Sequence, residues 1–156
     1  MSFDDFMSRV LGNEGGYVCS ASDPGGETKW GISKRSYPSA NIRDLTKEQA
    51  IELYRRDFWL KPRINELPEQ IAYQVLDAAI NSGARQSIEW LQQALGIPAD
   101  GVIGPVTLKA AQDANATKLA ITFLANRLDF LTALPTWVAF GRGWARRIAT
   151  NMRFVE

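Results

Sequence analysis

A chain of 156 residues, 46% hydrophobic and 22% charged, is long enough to bury a sizeable core, which excludes disorder. Its formal net charge of +1 excludes a general nucleic-acid binder, which carries a strong basic excess. With no histidine and a single cysteine, Cys19, it also excludes Ser-His-Asp and Cys-His catalysis, an intramolecular disulfide and the commonest zinc ligand. Acid–base chemistry therefore falls to carboxylates, with Lys, Tyr or Cys19 as lesser candidates; no metal or cofactor is expected, and folding in a reducing compartment is.

Phe3, Phe6, Met7, Val10 and Leu11 recur on one helical face. Ser2 suits the cap, Asp4 and Asp5 the first turn, and Gly12-Asn13 the stop. The start, MSFDDFMSRV, lacks the basic segment and apolar core of a secretory signal. No apolar run approaches the ~20 residues of a membrane span. Residues 15–45 are rich in Gly, Ser and Pro and read as a long ordered loop, at most with a short β-hairpin.

Thr46 and Gln49 form a capping box for a second helix bearing Ile51, Tyr54 and Phe58. Pro68 suits the first turn of a third, which ends near Gly83 and carries Ile71, Ala72, Val75, Leu76, Ala79 and Ile80. Ile88, Leu91 and Leu95 mark a fourth, stopped by Gly96 and Pro98. DGVIGP (100–105) is a turn, and Pro105 opens a short helix with Leu108 and Ala111. Residues 117–134 are apolar on most sides, as in a central buried helix, and Pro135 breaks it. The last helix aligns Trp137, Gly141, Trp144, Ile148 and Met152, with Arg142, Arg146 and Arg153 on the other side. The chain reads as mainly α, one domain over 1–156 with two lobes meeting near residue 96.

Glu14 stands where the first helix stops. Helix C-terminal carbonyls carry partial negative charge, so an ionised carboxylate there is disfavoured and its pKa tends to rise. Burial against Tyr17 or Trp30 would push the same way. A protonated Glu14 can act as general acid toward a glycosidic oxygen, while the solvated loop around Asp23 favours the ionised form, which separates acid from base. Each residue has a plainer reading as well. A Glu beside Gly-Gly is commonly a solvated surface residue, and Asp23-Pro24-Gly25-Gly26 is a turn in which Asp accepts backbone N–H bonds.

EGGY (14–17) followed by DPGGETKWGIS (23–33) resembles the signature of glycoside hydrolase family 108, N-acetylmuramidases found as phage endolysins and as secretion-linked bacterial muramidases. The order Glu14, Asp23, Thr28 also resembles the triad of phage-type lysozymes, in which the Asp-to-Thr gap is one residue longer. IELYRRDFW (51–59) and DAAINSG (77–83) fit the same family, and DGVIGPVTLKAAQ (100–112) resembles a peptidoglycan-binding segment. The resemblance implies a lysozyme-like α+β fold with a minimal or absent β-hairpin and two lobes around a cleft: a catalytic lobe, 1–95, and a helical lobe, 96–156, resembling a peptidoglycan-binding segment.

It implies cleavage of the β-1,4 bond between N-acetylmuramic acid and N-acetylglucosamine. Glu14 would be the acid, Asp23 would activate water or stabilise an oxocarbenium-like transition state, and Thr28 would position the water or orient Asp23. A carboxyl separation of roughly 6.5–9.5 Å suits inversion and about 5–5.5 Å retention; the inverting route is preferred because Thr28 gives the water a second partner. A lytic transglycosylase, or a non-catalytic wall-binding protein of the same fold, is the alternative. Tyr17 and Trp30 either stack on sugar rings or wall off the loop. Tyr37 and Trp59 read as packing. Asn81 either bonds an N-acetyl group or caps its helix, and DGVIGP either binds wall polymer or only connects two helices. Cys19 reads as a small half-buried thiol.

Arg142, Arg146, Arg147 and Arg153 give the chain end a positive face, either simply solvated or attracted to anionic peptidoglycan or lipid. The expected partner is peptidoglycan, with no nucleic acid, and the expected state a monomer. The expected route is synthesis in the bacterial or host cytoplasm, then holin-type release or dedicated export to the wall.

Overall fold

Helix α1, Phe3–Leu11, begins on a full capping box. The Ser2 hydroxyl accepts from Asp5 N, and the Asp5 carboxylate reaches back to Ser2 N. Its apolar face buries Phe3, Phe6 and Met7, and burial of each is worth ~1.5–3 kcal/mol. The structure is a computed structural model and describes residues 1–12, 16–19 and 26–155. The chain divides into two compact units, Met1–Asp57 and Phe58–Glu156.

In the first unit, α1 packs on α2, Lys47–Tyr54, which starts on the Thr46–Gln49 capping box. Three short antiparallel strands lie between them in the chain: β1, Val18–Cys19; β2, Glu27–Lys29; and β3, Ile32–Ser33, in the order β1-β2-β3. The sheet is small, yet one strand more than a hairpin. Cys19 lies on the two-residue β1 and is exposed, not half-buried as its residue type suggested, because neither residue of so short a strand is covered. A π-helical turn, Arg55–Leu60, continues α2 where the periodicity predicted plain helix.

In the second unit, α3 (Glu69–Ser82) packs on α4 (Ala84–Leu95), α4 on α6 (Ala116–Thr132), and α6 on α7 (Trp137–Met152), while α5 (Pro105–Asp113) lies on α4. Ser87 ties α4 to α3 through a 2.6 Å bond to the Val75 carbonyl, and Trp90 meets Phe130 of α6 edge to face at 5.2 Å. Trp59 stacks on Tyr73 at 5.3 Å, a packing role. Two expectations change. α6 is not apolar-buried all round: Ile121 and Phe130 are exposed, and Arg127 is in the core. Met152 of α7 is exposed and Asn151 buried instead.

The reason is a buried charge cluster. Asp77 of α3 accepts from Arg127 Nη1 at 2.8 Å, Arg147 Nε at 3.1 Å and Asn151 Nδ2 at 2.7 Å. Gln74 donates to the Asn151 carbonyl at 3.1 Å. A carboxylate this buried needs more than one donor, and α7 supplies two by rotating Arg147 and Asn151 inward. Arg147 therefore does not belong to the free basic face on which it was expected with Arg142, Arg146 and Arg153. Burial alone would push the Asp77 carboxyl up, but Arg147 and Arg127 outweigh it and hold the group below the usual carboxylate range.

Between α4 and α5 the DGVIG turn is built on one side chain. Gln92 Nε2 donates to Asp100 Oδ1, the Val102 carbonyl and Thr107 Oγ1, and Gln92 Oε1 accepts from Gly101 N at 2.9 Å. Gly101 has φ +75 and a Cβ there would press on Arg85 at 2.7 Å, so glycine is required on both counts.

Candidate active site

Thr28 sits in the middle of β2, opposite Val18 on one side and Ser33 on the other. Alternation along the strands puts these three on one face of the sheet, and Glu27, Lys29, Cys19 and buried Ile32 on the other. Thr28 is half-buried, on the face that exposes Val18. Glu14 and Asp23, the two carboxylates expected to share the chemistry with Thr28, lie outside the described residues.

β2 and β3 are joined by a two-residue turn, Trp30-Gly31, with φ +52 and +76. Two positive φ values make the hairpin-compatible turn that normally takes Asn-Gly or Asp-Gly. A tryptophan at its first position is a genuine outlier, of the sort that persists where surrounding structure holds it. Two side chains of α2 do so: the Tyr54 hydroxyl donates to the Trp30 carbonyl at 3.1 Å, and Lys47 Nζ lies 5.7 Å from the indole centroid. A Cβ on Gly31 would collide with that same Tyr54 hydroxyl. The Trp30 Nε1–H is buried and makes no hydrogen bond among the described residues.

Lys47 has a second partner. Its ammonium donates at 2.8 Å to the carbonyl of Gly12, the residue that ends α1. A cation at the C-terminal end of a helix offsets the partial negative charge there, two positions in sequence before Glu14. Position 47 carries no sequence signal beyond following the Thr46 cap, and its role was not foreseen.

Tyr17 is tied to the opposite face from Thr28: its hydroxyl donates to Glu27 Oε1 at 2.6 Å, and Arg43 lies 5.8 Å from its ring centroid. The bond to Glu27 pushes the Tyr17 hydroxyl up to about 12, so it stays protonated. Glu27 is a carboxylate that sequence reasoning passed over, although it adjoins Thr28. Tyr37 donates to Asp57 at 2.7 Å, and burial first, then that bond, pushes its hydroxyl up to about 12.

Asn81 belongs to the second unit, in the last turn of α3. The helix is closed by Gly83 N donating to the Ala79 carbonyl at 2.7 Å. Asn81 Nδ2 is buried and has no hydrogen-bond partner among the described residues. A cavity of about 680 Å³ in the first unit runs along α2 past Asp44, Leu45, Glu48 and Glu52; Tyr17, Thr28 and Trp30 do not line it.

The family model Glycosyl hydrolase 108 matches residues 7–83, and the model Predicted Peptidoglycan domain matches residues 86–149. The chain is similar to a solved structure of SagA from Brucella abortus, at 34% identity over 97% of this chain and 91% of that one, with a TM-score of 0.85. No curated protein matches the chain.

Proposed function

Since the chain belongs to the glycosyl hydrolase 108 family of peptidoglycan-cleaving N-acetylmuramidases, we propose that Glu14, Asp23 and Thr28 carry its hydrolysis of the β-1,4 bond between N-acetylmuramic acid and N-acetylglucosamine. Glu14 protonates the glycosidic oxygen and Asp23 activates the attacking water. Thr28 holds that water as its second partner, which makes the inverting route the preferred one. The observation that carries this reading is the family match over residues 7–83, which takes in all three side chains.

Trp30 and Asn81 are assigned to the sugar. Each has a buried N–H without a partner among the described residues, and such a group gains most when a ligand satisfies it. The carbonyl of an N-acetyl group is a fitting acceptor for either. Tyr17 offers a ring face to the same polymer, with its hydroxyl already engaged by Glu27. A lytic transglycosylase is not favoured, because water activation by Asp23 and Thr28 would have no use in it. Synthesis in the cytoplasm, then holin-type release or dedicated export, and a phage-lytic role, belong to this proposal, as does a monomeric state.

Digestion of purified peptidoglycan with wild type and Glu14→Gln, read by mass spectrometry of the sugar ends, tests it. Reducing N-acetylmuramic acid ends with wild type, absent with the variant, are expected. Anhydro ends, or no cleavage by folded wild type, would overturn the hydrolytic reading, and near-normal turnover by Asp23→Asn would remove Asp23 from it.

A further inference from the structure

Helix α7 carries an aromatic group that hydrolysis leaves unused. The rings of Trp137 and Trp144 lie 6.1 Å apart, centroid to centroid, and Phe140 lies 5.8 Å from Trp144. The tryptophans are half-buried, while Phe140 is 58% exposed. Gly141 makes the arrangement possible. It is helical, so the demand is for space: a Cβ there would collide with the Trp137 indole, which folds back along its own helix. The rings are thus held by packing. Arg142 and Arg146 are exposed on the other side of the helix and take no part in this group. The buried face of α7 (Gly141, Ile148 and Asn151) is turned inward, and the helix packs on α6. The helix also exposes Val138 and Met152.

We propose that Trp137, Phe140 and Trp144 form a shelf on which the glycan strand of peptidoglycan stacks. The inference rests on the wall-hydrolase reading and adds the surface by which the second unit holds the polymer. A sugar ring presents a flat C–H face that packs on an aromatic face, and rings already fixed by their neighbours lose little freedom on binding. Exposed aromatic clusters on soluble proteins mark interaction sites. The Predicted Peptidoglycan domain match, residues 86–149, includes all three side chains.

The test is co-sedimentation of the full chain, silenced by Glu14→Gln, with purified peptidoglycan. Phe140→Ser is expected to weaken retention several-fold. Phe140 is exposed, and an unchanged thermal midpoint confirms folding. On glycan strands stripped of stems by an amidase the effect is expected to persist, because the shelf reads sugar and not peptide. Unchanged retention of Phe140→Ser on whole wall, or an effect lost on the stripped strands, overturns the shelf. So does a Phe140 effect seen on phosphatidylglycerol vesicles but not on peptidoglycan, which would make α7 a membrane contact. A chain that binds wall through the shelf but releases no reducing ends fails the hydrolytic reading alone; one that cuts wall but binds equally well without the shelf fails this inference alone.

Discussion

The Lys47 ammonium donates to the Gly12 carbonyl across 35 positions of sequence, and the same group stands 5.7 Å from the Trp30 ring centroid. One side chain of α2 therefore fixes the end of α1 and braces the strained hairpin turn beside Thr28. Both features belong to the proposed site, so its geometry depends on a residue that performs no chemistry.

Lys47→Met keeps the aliphatic stem and removes the charge and the donor. The helix-end interaction is worth ~0.3–1 kcal/mol, a small loss in a urea unfolding curve. Turnover on peptidoglycan is expected to fall further, on the order of tenfold, because small misplacements of reacting groups cost rate steeply. Lys47→Arg should recover most of it. Equal, slight losses in stability and turnover for Lys47→Met would show that the lysine serves the fold only.

Asn81→Ala removes an amide whose Nδ2 bonds nothing among the described residues. Folding stability is expected to change by less than ~1 kcal/mol, since no internal hydrogen bond is lost. The Michaelis constant for soluble glycan fragments is expected to rise roughly tenfold, the worth of one hydrogen bond to substrate. A large stability loss with an unchanged Michaelis constant would return Asn81 to the fold.

Local pairings were legible and distant ones were not. The Ser2–Asp5 and Thr46–Gln49 capping boxes are three residues wide and can be read directly, as can the Pro68 and Gly83 that frame α3. Arg127 and Arg147 find Asp77 across 50 and 70 positions, and periodicity says nothing about partners so far apart. Arg147 of α7 therefore reads as part of an outward basic face, although its carboxylate lies on α3, four helices earlier in the chain. The Trp30-Gly31 turn escaped for another reason: tryptophan is a poor choice for positive φ, and only Tyr54 and Lys47 make it tenable. Glu14 and Asp23 rest on their motif and the family match alone, as they lie outside the described residues.

Gln92→Leu conserves volume but deletes the four side-chain bonds by which Gln92 holds the DGVIG turn and Thr107, leaving only bonds such as Val102 N to Asp100 Oδ1. Gly101 N loses its acceptor, and Asp100 and Thr107 lose a buried donor. Leaving such groups unsatisfied costs about 1–3 kcal/mol each where water cannot replace the partner, so a loss of roughly 2–3 kcal/mol in urea unfolding is expected. Amide exchange should quicken at residues 101 and 102 before it does in α4. Exchange unchanged there would mean the turn holds its shape without the glutamine.

Asp77 sets the acid limit of stability in the second unit. Its ordinary value is 3.8, and Arg147 and Arg127 hold the folded-state value lower despite the opposing push of burial. A carboxyl depressed on folding stabilises fully at neutral pH, and that contribution is lost as pH falls below about 4 and through the folded value. Urea midpoints measured from pH 7 down to 3 should therefore decline in acid. In Asp77→Asn two arginines lose their counter-charge, one of them fully buried. That variant is expected to be ~3–5 kcal/mol less stable at pH 7, the cost of breaking a buried pair from one side. Its acid decline should also be shallower than that of wild type, because the titrating group is gone. A wild-type curve flat to pH 3, or an equally steep decline in Asp77→Asn, would place the acid sensitivity on other carboxylates.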